Sequence, residues 1–248
     1  MSDKSENYNL KQYFYNVVSE PLDKFNMFTT WSKEETEEFR ALLDELKRPY
    51  DKDTETTKEK GDRLERLVEF IIKKSYFFEI YKNVHTETNE IDEVIVLSDR
   101  GKQTLESFGI ARTLIPIDTD IFLGECKNYA SNLGVTYVGK FYSLLSVTDV
   151  PFGIIFTQNG LTGDAEGYKD AYGLTKVLRM VEKYEHGREM YILTFTLDDY
   201  EELLSGRTFF ELIKAKKIEL QMASDYHNFI IDNQHESAEE IKSIIQHK

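Results

Sequence analysis

The sequence lacks the residues that build disulfide-rich, zinc-ribbon or membrane-spanning proteins. Its 248 residues include one cysteine, Cys126, which excludes an internal disulfide and a cysteine-rich zinc site. No apolar run approaches the roughly 18–20 residues that cross a bilayer. The first ten residues are too polar for a secretory signal, and the five histidines lack the spacing of metal ligands. We therefore expect a cytoplasmic protein with no membrane partner.

Positive charge is also scarce. The chain has 31 Lys and Arg against 45 Asp and Glu, a formal net charge of -14. Because DNA binding needs local Lys or Arg to neutralise phosphates, binding without a partner should be weak and salt-sensitive. The least acidic part contains a cluster of cations, Lys169, Lys176, Arg179, Lys183 and Arg188. This cluster fits either a solvated helix face or a phosphate contact.

The chain divides by composition into three parts. Its 40% apolar and 13% aromatic content is enough for a core. Ser32 and Glu35 have the spacing of a capping box, which predicts a helix before Pro49. Pro49 and the polar stretch 51–57 form the clearest boundary. We predict an N-terminal helical extension (1–56), a main domain (57–223) and an acidic C-terminal tail (224–248).

Along the main domain, the spacing of apolar residues changes from the period of a helix to that of a strand, and then back to that of a helix. A second capping box, Thr56 with Glu59, predicts a helix with an apolar stripe. Strands are predicted at Phe77–Val84, Ile91–Leu97, Ile121–Lys127, Phe152–Thr157 and Met190–Phe195, with a turn at 86–89. Helices are predicted from Val135 to about Thr148, and at Ala165–Tyr184, Leu197–Leu204 and Phe209–Leu220. Residues 98–118 are expected to be an irregular insertion. The order predicts an α/β protein with an αβββαβ core, in which helices flank a mixed sheet.

Three charged residues lie at the ends of two predicted strands. Glu125 and Lys127 are two positions apart, so their side chains share one face of the strand. Asp92 begins the preceding strand, and neighbouring strands lie about 4.8 Å apart. Two converging carboxylates repel each other unless a cation lies between them. Carboxylate oxygens suit Mg²⁺ or Mn²⁺, and a nearby lysine can orient a metal-bound water for attack on a phosphate.

The Glu-x-Lys pattern is weak by itself, because the chain contains two further copies. Glu45-Leu46-Lys47 and Glu240-Ile241-Lys242 both lie in helical contexts. In a helix, positions i and i+2 diverge by roughly 200°, so these copies cannot form the pair. Only the Glu125 copy follows an apolar strand and has an aspartate on an upstream strand.

Three motifs together resemble a known nuclease family. They are Gly61-x-x-Leu64-Glu65-x-Leu67-Val68, Asn89-Glu90-Ile91-Asp92 and Glu125-Cys126-Lys127-Asn128. The chain from about 60 to 200 resembles the PD-(D/E)xK restriction-endonuclease-like nucleases, closest to the Mrr-type branch. Residues 1–56 and the tail have no counterpart in this resemblance. The 33 positions from Asp92 to Glu125 exceed the usual tight connection and require the insertion at 98–118.

The resemblance implies a role for each motif residue. Asp92 and Glu125 would bind Mg²⁺ or Mn²⁺, and Glu65 and the backbone carbonyl of Cys126 would complete the metal site. Lys127 would orient the nucleophilic water. The implied activity is metal-dependent hydrolysis of DNA phosphodiester bonds, in restriction of foreign DNA or a related defence or repair task. A homodimer is also expected, since many enzymes that cut both strands are symmetric.

Each of these features also has a purely structural explanation that the sequence leaves open. Asp92, Glu125 and Lys127 could form a surface salt bridge, and Glu65 could be a solvated helix residue. Cys126 is interpreted as a small buried side chain and not as a nucleophile. Residues 157–159 could contact phosphates or simply make a turn. The alternative function is a nuclease-fold interaction module, or a cutting subunit that needs a partner, bound through the N-terminal extension, to hold DNA.

Overall fold

The structure is a computed structural model that describes residues 20–85, 90–163 and 169–222. Four parts of the sequence predictions lie outside these residues: residues 1–19 of the N-terminal extension, the turn at 86–89 with Asn89 of the second motif, the start of the helix predicted from Ala165, and the tail from 224, which contains the Glu-x-Lys copy at 240–242. No helix in the described ranges is both long and apolar enough to cross a membrane.

Five strands form one mixed sheet. They are β1 (Phe78–His85), β2 (Glu90–Leu97), β3 (Ile121–Lys127), β4 (Phe152–Thr157) and β5 (Tyr191–Phe195), arranged in the order of the chain. The pairs β1–β2 and β2–β3 are antiparallel, whereas β3–β4 and β4–β5 are parallel. Every residue of β4 is buried, as expected for a central strand covered on both faces. The predicted α/β class and mixed sheet are confirmed.

Helices flank the sheet. The described residues contain α1 (20–29), α2 (Lys33–Lys47), α3 (Thr57–Lys74), α4 (Asp99–Phe108), α5 (Val135–Val147), α6 (Asp170–Glu185), α7 (Leu197–Leu204) and α8 (Phe209–Met222). Both predicted capping boxes are present: the Ser32 and Glu35 side chains cap α2, and the Thr56 and Glu59 side chains cap α3. Each box satisfies backbone N–H groups that the first helical turn leaves unpaired.

The prediction of an irregular insertion at 98–118 is wrong. Residues 99–108 form α4, and Arg112–Leu114 form a 3₁₀ turn. The Ser98 hydroxyl caps α4 by accepting a hydrogen bond from the Gly101 amide at 2.9 Å, and Gly109 ends the helix in the left-handed conformation. The helix buries only Gly101, Thr104 and Leu105, so it has almost no apolar stripe for a periodicity argument to detect.

The core lies on both faces of the sheet. On one face α3 buries Leu64, Leu67 and Ile71 against Phe122 and other strand residues. The opposite face packs against α5 and α6 through residues such as Val138. The N-terminal helices join the first of these clusters, where Phe25, Phe39, Leu43 and Leu46 are buried. The N-terminal helical segment therefore shares the core of the sheet domain.

Two helical glycines provide a matched test of packing. A Cβ at Gly61 in α3 would have open space, whereas a Cβ at Gly101 in α4 would collide with the backbone carbonyl of Phe77. We expect Gly61→Ala to raise the free energy of unfolding by about 0.5–1 kcal/mol through helix propensity. Gly101→Ala should lower it by about 1–3 kcal/mol through overpacking. Urea unfolding measures both, and an equal effect at the two sites would contradict this packing.

Candidate functional site

The site lies where the β2–β3 ladder ends. Regular pairing stops at Glu93 opposite Gly124, and Asp92 is the next residue of β2. The Asp92 carboxylate accepts a hydrogen bond from the Cys126 amide, with 3.2 Å between Oδ2 and N. A side chain of β2 thus satisfies a backbone donor of β3 beyond the last paired residues. The prediction that these two strands are neighbours is confirmed.

Lys127 bridges the two predicted carboxylates. Its Nζ lies 2.9 Å from Asp92 Oδ2 and 2.8 Å from Glu125 Oε1. The three side chains are 22–29% exposed, so solvent reaches the cluster from one side. The structure therefore brings together Asp92, Glu125 and Lys127, which we call the carboxylate–lysine site.

The electrostatics of this site follow from partial burial and close charges. Burial raises the pKa of Glu125, and the Asp92 charge raises it further, against the opposing effect of Lys127. For Lys127, burial disfavours the ammonium, but hydrogen bonds and attraction from Glu125 and Asp92 outweigh it and raise its pKa. Lys127 is therefore held as a cation between two carboxylates that would otherwise repel each other.

A second acid, Glu93, lies beside this site and was not predicted from the sequence. Its side chain is 1% exposed, and its Oε1 accepts a hydrogen bond from the Cys126 thiol at 3.1 Å. Burial, reinforced by the charges of Asp92 and Glu65, raises the pKa of Glu93 to about 8. A Cβ at Gly124 would collide with the Glu93 carboxyl, so the glycine makes room for this acid.

The same environment settles the protonation of Cys126. Burial and the neighbouring Glu93 raise the pKa of its thiol well above the usual value. A thiol that keeps its proton is a poor nucleophile, which agrees with the prediction that Cys126 is not one, although the residue is partly and not fully buried.

Glu65 belongs to a different ion-pair group. Its Oε2 lies 3.3 Å from Lys82 Nζ, and Lys82 lies at the same distance from Glu69 Oε2. Glu65 acts on the buried Glu93 through its charge. The structure thus places Glu65 near Glu93 and pairs it with Lys82, a partner that the sequence pattern did not indicate.

The donor atoms of the site fit a hard cation only in part. Among residues 20–85, 90–163 and 169–222, no three His, Cys, Asp or Glu side chains converge as a metal-ligand group. Asp92 and Glu125 still offer carboxylate oxygens around one position, which Lys127 Nζ now neutralises. Mg²⁺ is commonly held by one or two carboxylates and several waters. These two residues fit that pattern, whereas Glu65 is engaged with Lys82.

Polar and aromatic residues follow Lys127 in the chain and make contacts near the site. The Asn128 amide donates to the Lys60 carbonyl at 2.7 Å, and the Asn159 amide donates to the Tyr129 carbonyl at 2.7 Å. The Tyr129 ring, 44% exposed, packs on Tyr137 with 5.4 Å between ring centroids. The hydrogen bond from Asn159 favours the interpretation that this residue stabilises a turn. No spacing in the sequence could have paired Tyr129 with Tyr137, because the contact arises only when α5 packs beside β3.

Three of the five cations of the cluster at residues 169–188 form ion pairs within the protein. Arg179 and Lys183 both pair with Glu189, at 3.0 and 2.9 Å. Arg188 pairs with Glu182 at 2.9 Å and with Asp149 at 2.8 Å. These pairs favour the structural interpretation of the cluster over a phosphate contact.

Comparisons with protein-family models, with curated proteins and with solved structures give no match. What the carboxylate–lysine site can do therefore follows from its own geometry: it can hold a cation, and it can present a protonated amine to a bound anion.

The buried Glu93 carboxyl predicts a pH-dependent stability difference. Because its pKa is about 8 in the folded protein and near 4.5 when unfolded, stability from this group is lost as pH rises from about 4.5 to 8. Glu93→Gln keeps an acceptor for Cys126 and removes the titration. We expect the variant to gain stability relative to the wild type as pH rises from 5 to 8 in metal-free buffer, measured by urea unfolding. A difference that is flat with pH would contradict the raised pKa.

Proposed function

We propose that this chain is a divalent-metal-dependent DNA endonuclease of the restriction-endonuclease-like class. The observation that supports it is the convergence of Asp92, Glu125 and Lys127 at the ends of two adjacent strands. The order α3-β1-β2-β3-α5-β4 also agrees with the expected αβββαβ core, with α4 inserted between β2 and β3. The same three residue types occur in the Glu-x-Lys and aspartate motifs that resemble the PD-(D/E)xK nucleases.

Each residue of the site has a defined task in this proposal. Asp92 and Glu125 would hold Mg²⁺ or Mn²⁺, which would supply charge stabilisation and an activated water. Lys127, which donates to both carboxylates in this structure, would donate to a phosphate oxygen once a metal ion pairs with those carboxylates. Its proton is retained because the two carboxylates raise its pKa. Neutralisation of the Asp92 and Glu125 carboxylates removes their effect on the pKa of Lys127. Lys127 then releases a proton more readily and can act in proton transfer.

The charges of the chain favour a dependence on a partner for DNA binding. The chain has a net charge of -14, and Arg179, Lys183 and Arg188 are engaged in internal ion pairs. Phosphate binding requires cations that are free to replace counterions. We therefore propose that a second copy or another protein helps to hold DNA, with the N-terminal helices as its contact surface. Restriction or defence against foreign DNA in the cytoplasm is the setting that we propose.

Cleavage should depend on the carboxylate–lysine site and not on the helical copy of the same pattern. We expect Asp92→Asn, Glu125→Gln and Lys127→Ala each to lower DNA cleavage with Mg²⁺ or Mn²⁺ by on the order of 10²-fold or more. The matched control is Glu45→Gln with Lys47→Ala in α2, which should cut normally. Cleavage of supercoiled plasmid, of linear DNA and of RNA measures the effect and the substrate range. Unchanged cleavage in all three site variants would disprove the assignment.

Metal binding should also be visible without catalysis. A ligand that binds the folded state stabilises it, by about 2.7 kcal/mol at one hundred times its dissociation constant. We expect Mg²⁺ or Mn²⁺ to raise the melting temperature of the wild type and of the Glu45→Gln control, and not of Asp92→Asn. A flat response of the wild type would favour the interaction module that does no chemistry.

A further inference from the structure

Helix α6 exposes an apolar stripe, formed by Val177, Met180, Val181 and Tyr184. Their exposed fractions are 37, 37, 39 and 78%, respectively. Positions i, i+3, i+4 and i+7 lie on one face of a helix. Single exposed apolar residues are normal, whereas a contiguous patch is often a contact surface.

The chain leaves the described structure beside α6, the helix that carries this stripe. Helix α8 runs next to α6, where the Tyr172 hydroxyl donates to Glu219. Near the end of α8, the Gln221 amide donates to the Tyr191 hydroxyl at 2.5 Å, and the Arg179 guanidinium of α6 lies 3.5 Å from the same oxygen. The end of α8 therefore lies beside α6, and its last residue, Met222, is 65% exposed.

Residues 223–248 have the composition to cover an apolar surface. They contain the run Phe229-Ile230-Ile231 and the spaced residues Ile241, Ile244 and Ile245. The seven residues from Met222 to Phe229 can span up to roughly 23 Å. The stripe from Val177 to Tyr184 is only about 10 Å long. This span exceeds both the length of the stripe and the roughly 10–12 Å diameter of a helix, so the segment is long enough to pass from the side of α6 that faces α8 to the stripe.

The size of the stripe argues against a second copy as its main partner. Four partly exposed side chains present on the order of a few hundred Å². A stable interface between proteins buries about 800 Å² on each partner. A surface of this size suits a short segment of the same chain, because an intramolecular contact does not pay the entropy of association.

We propose that residues 223–248 fold back from the end of α8 and bind the apolar stripe of α6. The segment shields Val177, Met180, Val181 and Tyr184 from solvent and ties its own apolar run to the layer of helices formed by α5 and α6. This inference is independent of the proposed nuclease activity, since it uses no residue of the carboxylate–lysine site.

Photo-crosslinking of the full chain tests this contact. Tyr184→p-benzoylphenylalanine places a photoreactive ring on the stripe, and mass spectrometry of the digested product locates its partner. We expect a monomeric product that joins α6 to residues 223–248. The matched control is Tyr81→p-benzoylphenylalanine on β1, 52% exposed, which should give no crosslink to that segment. A covalent dimer through the stripe, or no crosslink to residues 223–248, would overturn the proposal.

A second measurement does not rely on an unnatural residue. We expect Val181→Asp to speed proteolysis within residues 223–248 at least several-fold in the otherwise intact chain. Val147→Asp, at an exposed valine (71%) at the end of α5, should leave that rate unchanged. Equal rates in the two variants would contradict the contact.

Discussion

The carboxylate–lysine site depends on one interaction, the bridge from the Lys127 ammonium to the Asp92 and Glu125 carboxylates. Two partly buried carboxylates on adjacent strands repel each other, and the cost rises as water is excluded. Lys127 Nζ, within 3 Å of both, offsets that cost. A cation between the acids, either a lysine ammonium or a metal ion, therefore stabilises this arrangement.

Glu93, the residue after Asp92 on β2, is a second acid on the opposite face of the strand, and its protonation state is different. Glu93 is buried beside Cys126, and its pKa of about 8 keeps it largely neutral at pH 7. Its Oε2 has no hydrogen-bond partner among the described residues. A neutral carboxyl costs less to bury than a charged one. Two adjacent residues of β2 are thus an acid in an ion pair, Asp92, and a buried acid, Glu93. Acids with perturbed pKa values cluster at functional sites.

Several cations near the two ends of the sheet neutralise acids of the protein itself. The arginines and lysines near the end of α6 pair with Glu182 and Glu189. At the other end of the sheet, Lys82 pairs with Glu65 and Glu69. These cations neutralise carboxylates of the protein, so they contribute less to phosphate binding than cations without such partners would.

Local sequence patterns predicted most of the strands, both capping boxes and the shared face of Glu125 and Lys127, because these features depend on periodicity and side-chain chemistry. They missed α4, whose few buried residues give almost no apolar stripe. They also missed Glu93, because burial is a property of the packed sheet and not of the Asp-Glu dipeptide. The predicted strand order placed Asp92 near Glu125 and Lys127, but the contact of Asp92 with Lys127 depends on the register of the strands. The pairing of Glu65 with Lys82 depends on the packing of α3 on the sheet, which no local pattern reports.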